Sequence, residues 1–218
     1  MFEQFSWKHL IPLLRGTGLT IVICLVSAFF GTVIGVFVGM GKKARNRVLR
    51  TICNVYVNIF RGIPLLIILY MVYYAIPILT GRHISQFAAS SISLSIYAGS
   101  YIGEIFYGAI DAIPKGQFEA SDALGMKGAQ KYIHVILPQA VRIMIPSMVT
   151  FLIALIKDSS LVSVIGYIDL TRAGRIVTNL TMQPFLTFIV VGIFYFILCY
   201  SLSIVSKKLE MRFNVHGR

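Results

Sequence analysis

Five long runs of apolar residues, at about residues 16–40, 52–79, 87–112, 141–168 and 184–206, constrain this chain more than any other feature. Each run reaches the roughly 20 residues that a helix needs to cross a hydrocarbon core about 30 Å thick. Within such a core the backbone must satisfy its own N–H and C=O groups, so runs of this length read as helices. Composition agrees: 57% of the 218 residues are hydrophobic and 13% are charged, against about 25% charged in a soluble domain. The sequence predicts an all-α integral membrane protein with about five transmembrane helices, organised as a single membrane domain over residues 1–218.

The net charge of +12 does not point to nucleic acid, because the basic residues fill the gaps between apolar runs and form no basic face on a folded module. They read as topology signals. With the N-terminus outside, the inner segments hold Lys42, Lys43, Arg45, Arg47, Arg50, Lys115, Lys127, Lys131, Arg142, Lys207, Lys208, Arg212 and Arg218. The outer segments hold Lys8, Arg15, Arg82, Arg172 and Arg175, while Arg61 and Lys157 lie within runs. Thirteen against five predicts N-out, C-in. The first ten residues, with Glu3, Trp7 and Lys8 and no A-x-A-like site, do not read as a removable signal peptide. Cys24, Cys53 and Cys199 lie in three different runs and read as packing residues, not disulfide or metal partners. His9, His83, His134 and His216 are scattered outside the runs, with no metal-binding spacing.

Within the runs, small residues and charges carry the argument. Ser27, Gly31, Gly35 and Gly39 recur every fourth position in the first run, which puts them on one helix face for close backbone approach. Ionisable groups in a span need a partner or a watered cavity, and Arg61, Glu104 and the Lys157-Asp158 pair are such groups. Counted from the inner ends by helical rise, Arg61 lies about 13 Å deep, and Glu104 and Thr150 about 12 Å. Asp158 lies about 24 Å from the inner end, in the outer half. Tyr97, Ser100, Tyr101, Glu104, Gly108 and Asp111 follow steps of one, three and four and form a polar stripe on the third run. Arg61 and Glu104 read either as part of a substrate site or as a structural pair that fixes helix register. Pro64, after Arg61-Gly62-Ile63, disturbs the second run. Lys157-Asp158-Ser159-Ser160 is expected to interrupt the fourth.

The inner segment 112–139 is too polar to span and is patterned as a short helix that ends at Gly125. Here Glu119-Ala120-Ser121, then Gly125, then Val135-Ile136-Leu137-Pro138 resembles the EAA motif of ABC importer permeases, E-A-A-x3-G-x9-I-x-L-P, with Ser121 and Val135 as small departures. Arg61-Gly62-Ile63-Pro64-Leu65-Leu66, Tyr101-Ile102-Gly103-Glu104-Ile105, Ile113-Pro114-Lys115-Gly116-Gln117, Leu137-Pro138-Gln139-Ala140 and Lys157-Asp158-Ser159-Ser160-Leu161 are similar to motifs of the polar amino acid permeases of that class. The likeness runs from about residue 13 to the end of the chain.

This resemblance implies a type I ABC importer transmembrane domain in a bacterial inner membrane, importing an L-amino acid by alternating access. It implies partners: a dimer of ABC ATPase subunits, a second permease chain, identical or homologous, an extracytoplasmic amino acid binding protein, and membrane lipid. Segment 112–139 becomes a cytoplasmic coupling loop, with Glu119, Ala120, Ser121, Asp122, Leu124 and Gly125 facing the ATPase. Arg61, Gly62, Pro64, Tyr97, Ser100, Glu104, Thr150, Phe151, Asp158 and Ser159 become substrate-pathway candidates, with Lys157 and Asp158 toward the outer end. The chain itself is then not an enzyme. It has no phosphate loop, since Val36 and Lys43 spoil the nearest approach around Gly41-Lys42, so ATP and Mg are expected on the partner. Tyr107 stands where family members commonly have Arg. Thr150-Phe151 stands where P-x-x-x-N-[EQ] is frequent, and Phe151 offers no charge to a cationic side chain. A neutral polar substrate, glutamine- or cystine-like, is therefore expected. A standalone secondary carrier or channel also accounts for the intramembrane charges but not for the EAA-like loop.

Overall fold

The computed structural model describes residues 4–213, and these form helices joined by short turns, with no strand among them. Glu3, His216 and Arg218, used in the readings above, lie outside the described residues. Helix α1 (Leu10–Lys42) is followed by α2 (Arg47–Gly62), α3 (Leu65–Tyr70) and α4 (Ile76–Thr80), with a π turn between α3 and α4. Then come α5 (Gln86–Asp111), α6 (Lys115–Ala123), the single turn α7 (Ala129–Lys131) and α8 (Leu137–Asp158). The short α9 (Leu170–Thr181) and the long α10 (Pro184–Phe213) complete the order.

The glycine stripe of α1 sets the central packing. A β-carbon on Gly31 would stand 2.5 Å from Ala98 Cβ, one on Gly35 2.7 Å from Ile102 Cβ, and one on Gly39 2.7 Å from Phe106 Cδ1. Gly99 and Gly103 return the favour from α5, where added β-carbons would meet Ile34 and Val38 at 2.6 and 3.0 Å. Only hydrogen fits on either side, so the two backbones touch, as small-residue seams in membranes allow. Each step of four on α1 meets a step of four on α5, so the two helices run parallel.

Parallel helices require the chain to cross back between them, and α2 to α4 make that crossing. The disturbance expected at Pro64 in the run 52–79 is a sharp bend: the segments Arg47–Gly62 and Leu65–Thr80 meet at 104°. Pro64, without a backbone N–H, caps α3 and stops α2 at Gly62. Cys53 and Val57 are the buried face of α2, and its other side exposes Val48, Ile52, Val55 and Ile59.

Among the described residues, three helical stretches are long and apolar enough to cross a membrane, and the bent pair makes a fourth. α5, which carries the remaining expected span, lies along α1 but is less apolar than these. Its serines Ser90, Ser93, Ser95 and Ser100 are buried because neighbouring helices wrap it, so it needs less apolar surface than a lipid-facing rod. The interruption expected at 157–160 is milder than foreseen: α8 tightens into a 3-10 stretch, Ser159–Ile165, and the helical run Ala129–Ile165 continues. Helix α9, which had no counterpart in the sequence reading, caps one end of the bundle. The Asp169 carboxylate accepts from Thr171 and Arg172 N–H at 3.1 and 2.8 Å, and the Leu170 N–H donates to Thr20 Oγ1 at 3.0 Å.

Candidate functional site

The α1–α5 seam delivers Lys42, the last residue of α1, beside α5. Helical side chains lean toward their own N-terminus, so Lys42 reaches back up the bundle and forms an ion pair with Glu104 Oε2. In the parallel register Lys42 is level with Ala109, five residues beyond Glu104, or about 7.5 Å along the axis. Glu104 thus lies within one lysine length of the α1 terminus. Arg61, in the last turn of α2, approaches the same oxygen at 3.9 Å. Its guanidinium stands over the Tyr101 ring, 5.1 Å from the centroid.

Tyr101 joins this group to two others. It packs on Tyr97 at 4.8 Å and stacks on Phe151 at 5.4 Å with an 18° interplanar angle. The Tyr97 hydroxyl in turn donates to Asp158 Oδ2 at 3.2 Å. Arg61, Tyr97, Glu104, Phe151 and Asp158 are therefore one connected set, strung from α2 through α5 to α8, with Tyr101 at its centre. Gly62 and Pro64 are exposed at the bend that positions Arg61.

The remaining candidates sit elsewhere. Ser100 is fully buried and donates to the Tyr97 carbonyl at 2.7 Å. It faces the packed side of α5, not the stripe. Thr150 is exposed, with its hydroxyl 3.2 Å from the Pro146 carbonyl. Ser159 is buried and donates to the Ile156 carbonyl at 2.7 Å. Lys157 diverges from Asp158: it lines a groove of about 380 Å³ between α8 and α10 with Tyr195, Tyr200 and Ser203.

Two residues outside the predicted set belong to the site. Lys42 was counted with the loop charges, yet α1 continues through it. The Tyr107 ring meets both Lys42 and Lys43, at 4.6 and 4.8 Å, and Lys43 pairs with Asp111. An arginine at 107 would repel both lysines. A helix period extended two residues past Met40 was the available signal for Lys42.

The segment after α5 presents a compact element. Gly125 has φ +73°; its N–H donates to the Asp122 carbonyl at 2.9 Å, and the Met126 N–H donates to the Ser121 carbonyl at 3.0 Å. This pair of bonds is the Schellman closure, which wants glycine at the left-handed position. Ser121 is buried and donates to the Gln117 carbonyl at 2.6 Å. Phe118 packs on the Ile110 and Ile136 cluster, Asp122 pairs with Lys131, and the Gln139 amide donates to Gln117 Oε1 at 3.1 Å. With its base tied down in this way, α6 leaves Glu119, Ala120 and Asp122 exposed, and Leu124 beyond it 76% exposed.

Comparison with known proteins agrees with this architecture. Residues 31–215 match the family described as binding-protein-dependent transport system inner membrane component. A putative glutamine transport system permease protein, GlnP of Rickettsia conorii, is 37% identical over 218 residues, covering 99% of this chain and 100% of its own. The arginine transport system permease protein ArtQ of Bacillus subtilis is 34% identical over 200 residues, covering 92% and 91%. A crystal structure of an amino acid ABC transporter with histidines superposes with a TM-score of 0.88 at 30% identity, over 94% of this chain and 95% of that one. The resemblance carried by the EAA-like loop is thus borne out, and the chain belongs to the family of binding-protein-dependent transport system inner membrane components, the multi-pass permease subunits of bacterial inner membranes.

Proposed function

We propose that this chain is the transmembrane subunit of an ATP-driven importer for an L-amino acid with a neutral polar side chain, glutamine- or cystine-like, working by alternating access. The observation that carries this reading is the Arg61 guanidinium, 42% exposed and held over Tyr101 at the edge of its pair with Glu104. A planar fork of N–H donors suits a carboxylate better than a lysine does. Phe151 on Tyr101 supplies an apolar wall with no charge for a cationic side chain. The likeness to a glutamine permease supports this choice, while ArtQ stands as the arginine alternative.

In this reading residues 1–218 form one permease domain with the N-terminus outside. Segment 112–139 lies in the cytoplasm, where Glu119, Ala120, Asp122 and Leu124 meet an ABC ATPase dimer and Gly125 turns the chain away. ATP and Mg bind that partner. A second permease chain, identical or homologous, completes the pathway, and an extracytoplasmic binding protein delivers the amino acid. Asp158, held by Tyr97, belongs toward the outer part of the pathway.

The test is uptake of radiolabelled L-glutamine into vesicles that contain the whole assembly and its binding protein. Arg61→Lys keeps a positive charge but loses the bidentate fork, and a desolvated charged contact is worth about 2–5 kcal/mol. Uptake is expected to fall at least tenfold while the subunits still co-purify. Wild-type uptake by this variant would mean that Arg61 serves packing alone.

A further inference from the structure

Glu104 faces two cations and binds them unequally. Lys42 is directly ion-paired with it, and the Lys42 side chain is only 9% exposed. Arg61 stands 3.9 Å from the same oxygen, beyond the range of an N–H···O hydrogen bond. The guanidinium lies over the Tyr101 ring and the side chain is 42% exposed, so N–H donors of its fork face the exposed side. Lys43, the other nearby cation, is drawn away to Asp111, and both lysines lie against the Tyr107 ring.

On the substrate reading above, on which this inference rests, we propose that Lys42 is a positioning residue that holds Glu104 so that Arg61 remains available to a substrate carboxylate. Two cations around one carboxylate leave an excess positive charge at this point, which favours an anionic group. Without Lys42, Glu104 is a bare carboxylate next to the guanidinium. Arginine and carboxylate close readily into a bidentate pair, and that pair occupies the donors the substrate needs. The glycine seam makes the arrangement dependable, because any larger residue there would shift Lys42 relative to Glu104.

The experiment is equilibrium binding to the purified permease–ATPase assembly without the binding protein. The probes are L-glutamine and its α-amide, which lacks the carboxylate. Lys42→Met is expected to weaken L-glutamine binding about tenfold and to leave α-amide binding unchanged. Lys42→Arg should bind like wild type, and the double variant Lys42→Met with Glu104→Gln should recover most of the loss. If Lys42→Met does not assemble, Lys42→Gln keeps a hydrogen bond to Glu104 without the charge and gives the same comparison. Equal losses for both probes, no loss for L-glutamine, or no recovery in the double variant would each overturn the proposal. Arg61→Lys separates the two levels. If it loses L-glutamine while Lys42→Met does not, only the role of Lys42 fails. If it binds normally, or if the wild-type assembly binds neither probe, the substrate reading itself fails.

Discussion

Phe151 is 7% exposed and lies nearly parallel to Tyr101, and that stacking defines what a charge at this position would meet. A glutamate here stands in aromatic surroundings and is strongly disfavoured as an anion unless a cation joins it. The natural source of that cation is the side chain of the transported molecule. Phe151→Glu is therefore expected to reverse preference from L-glutamine toward L-arginine, read as competition between the two in vesicle uptake. Unchanged selectivity would remove Phe151 from the pathway. Much of this neighbourhood was legible from sequence, since charges in apolar runs demand partners and Arg61 and Glu104 are indeed adjacent. Lys42 was not legible, because its role depends on the last half-turn of α1 and on the length of a side chain that points back along the helix. Nor was the inward turn of Ser100, since a step of three on a helix drifts 60° away from its starting face.

At the scale of elements, α6 shows how a loop signal becomes a shape. Gly125 occupies φ +73° with no neighbour near its β position, so backbone strain alone opposes substitution. β-Branched residues are the least tolerant of left-handed angles. Gly125→Val is expected to unravel the Schellman closure and shift Leu124 and Glu119, uncoupling transport from ATP hydrolysis while the chain still inserts. ATPase activity and uptake measured in the same proteoliposomes check this, and normal coupling would show that α6 does not transmit. The helix end at Gly125 was readable because glycine after a periodic stretch has a direct backbone meaning. Helix α9 was missed because Leu170, Ala173, Gly174 and Val177 form too short an apolar series to stand out beside runs of about 20 residues. Their i, i+3, i+4, i+7 spacing behind Asp169 was a capped-helix pattern. The 104° bend was half legible: Pro64 forecast a break, but not its angle, which depends on where α2 and α3 each find packing.

For the whole molecule, the apolar runs gave the crossings and the basic residues gave an orientation that can be measured. Arg82 follows α4 and Lys127 follows α6, at opposite ends of the bundle. In a background with Cys24, Cys53 and Cys199 replaced, Arg82→Cys is expected to react with a membrane-impermeant maleimide from outside intact cells. Lys127→Cys is expected to react only after the membrane is opened. The reverse pattern would invert the molecule and put α6 out of reach of any cytoplasmic ATPase. The glycine seam between α1 and α5 has a mechanical meaning at this scale. Two backbones in direct contact, each locked between the side chains of the other, have no soft layer along which to slide. The pair is a strut. In the alternating access proposed above, opening and closing would be carried by whatever is jointed to it, and the joint nearest the charges is the Gly62–Pro64 elbow, one residue beyond Arg61. If Arg61 holds the substrate carboxylate as proposed, the contact that grips the cargo and the elbow about which α3 would turn are adjacent links of one chain.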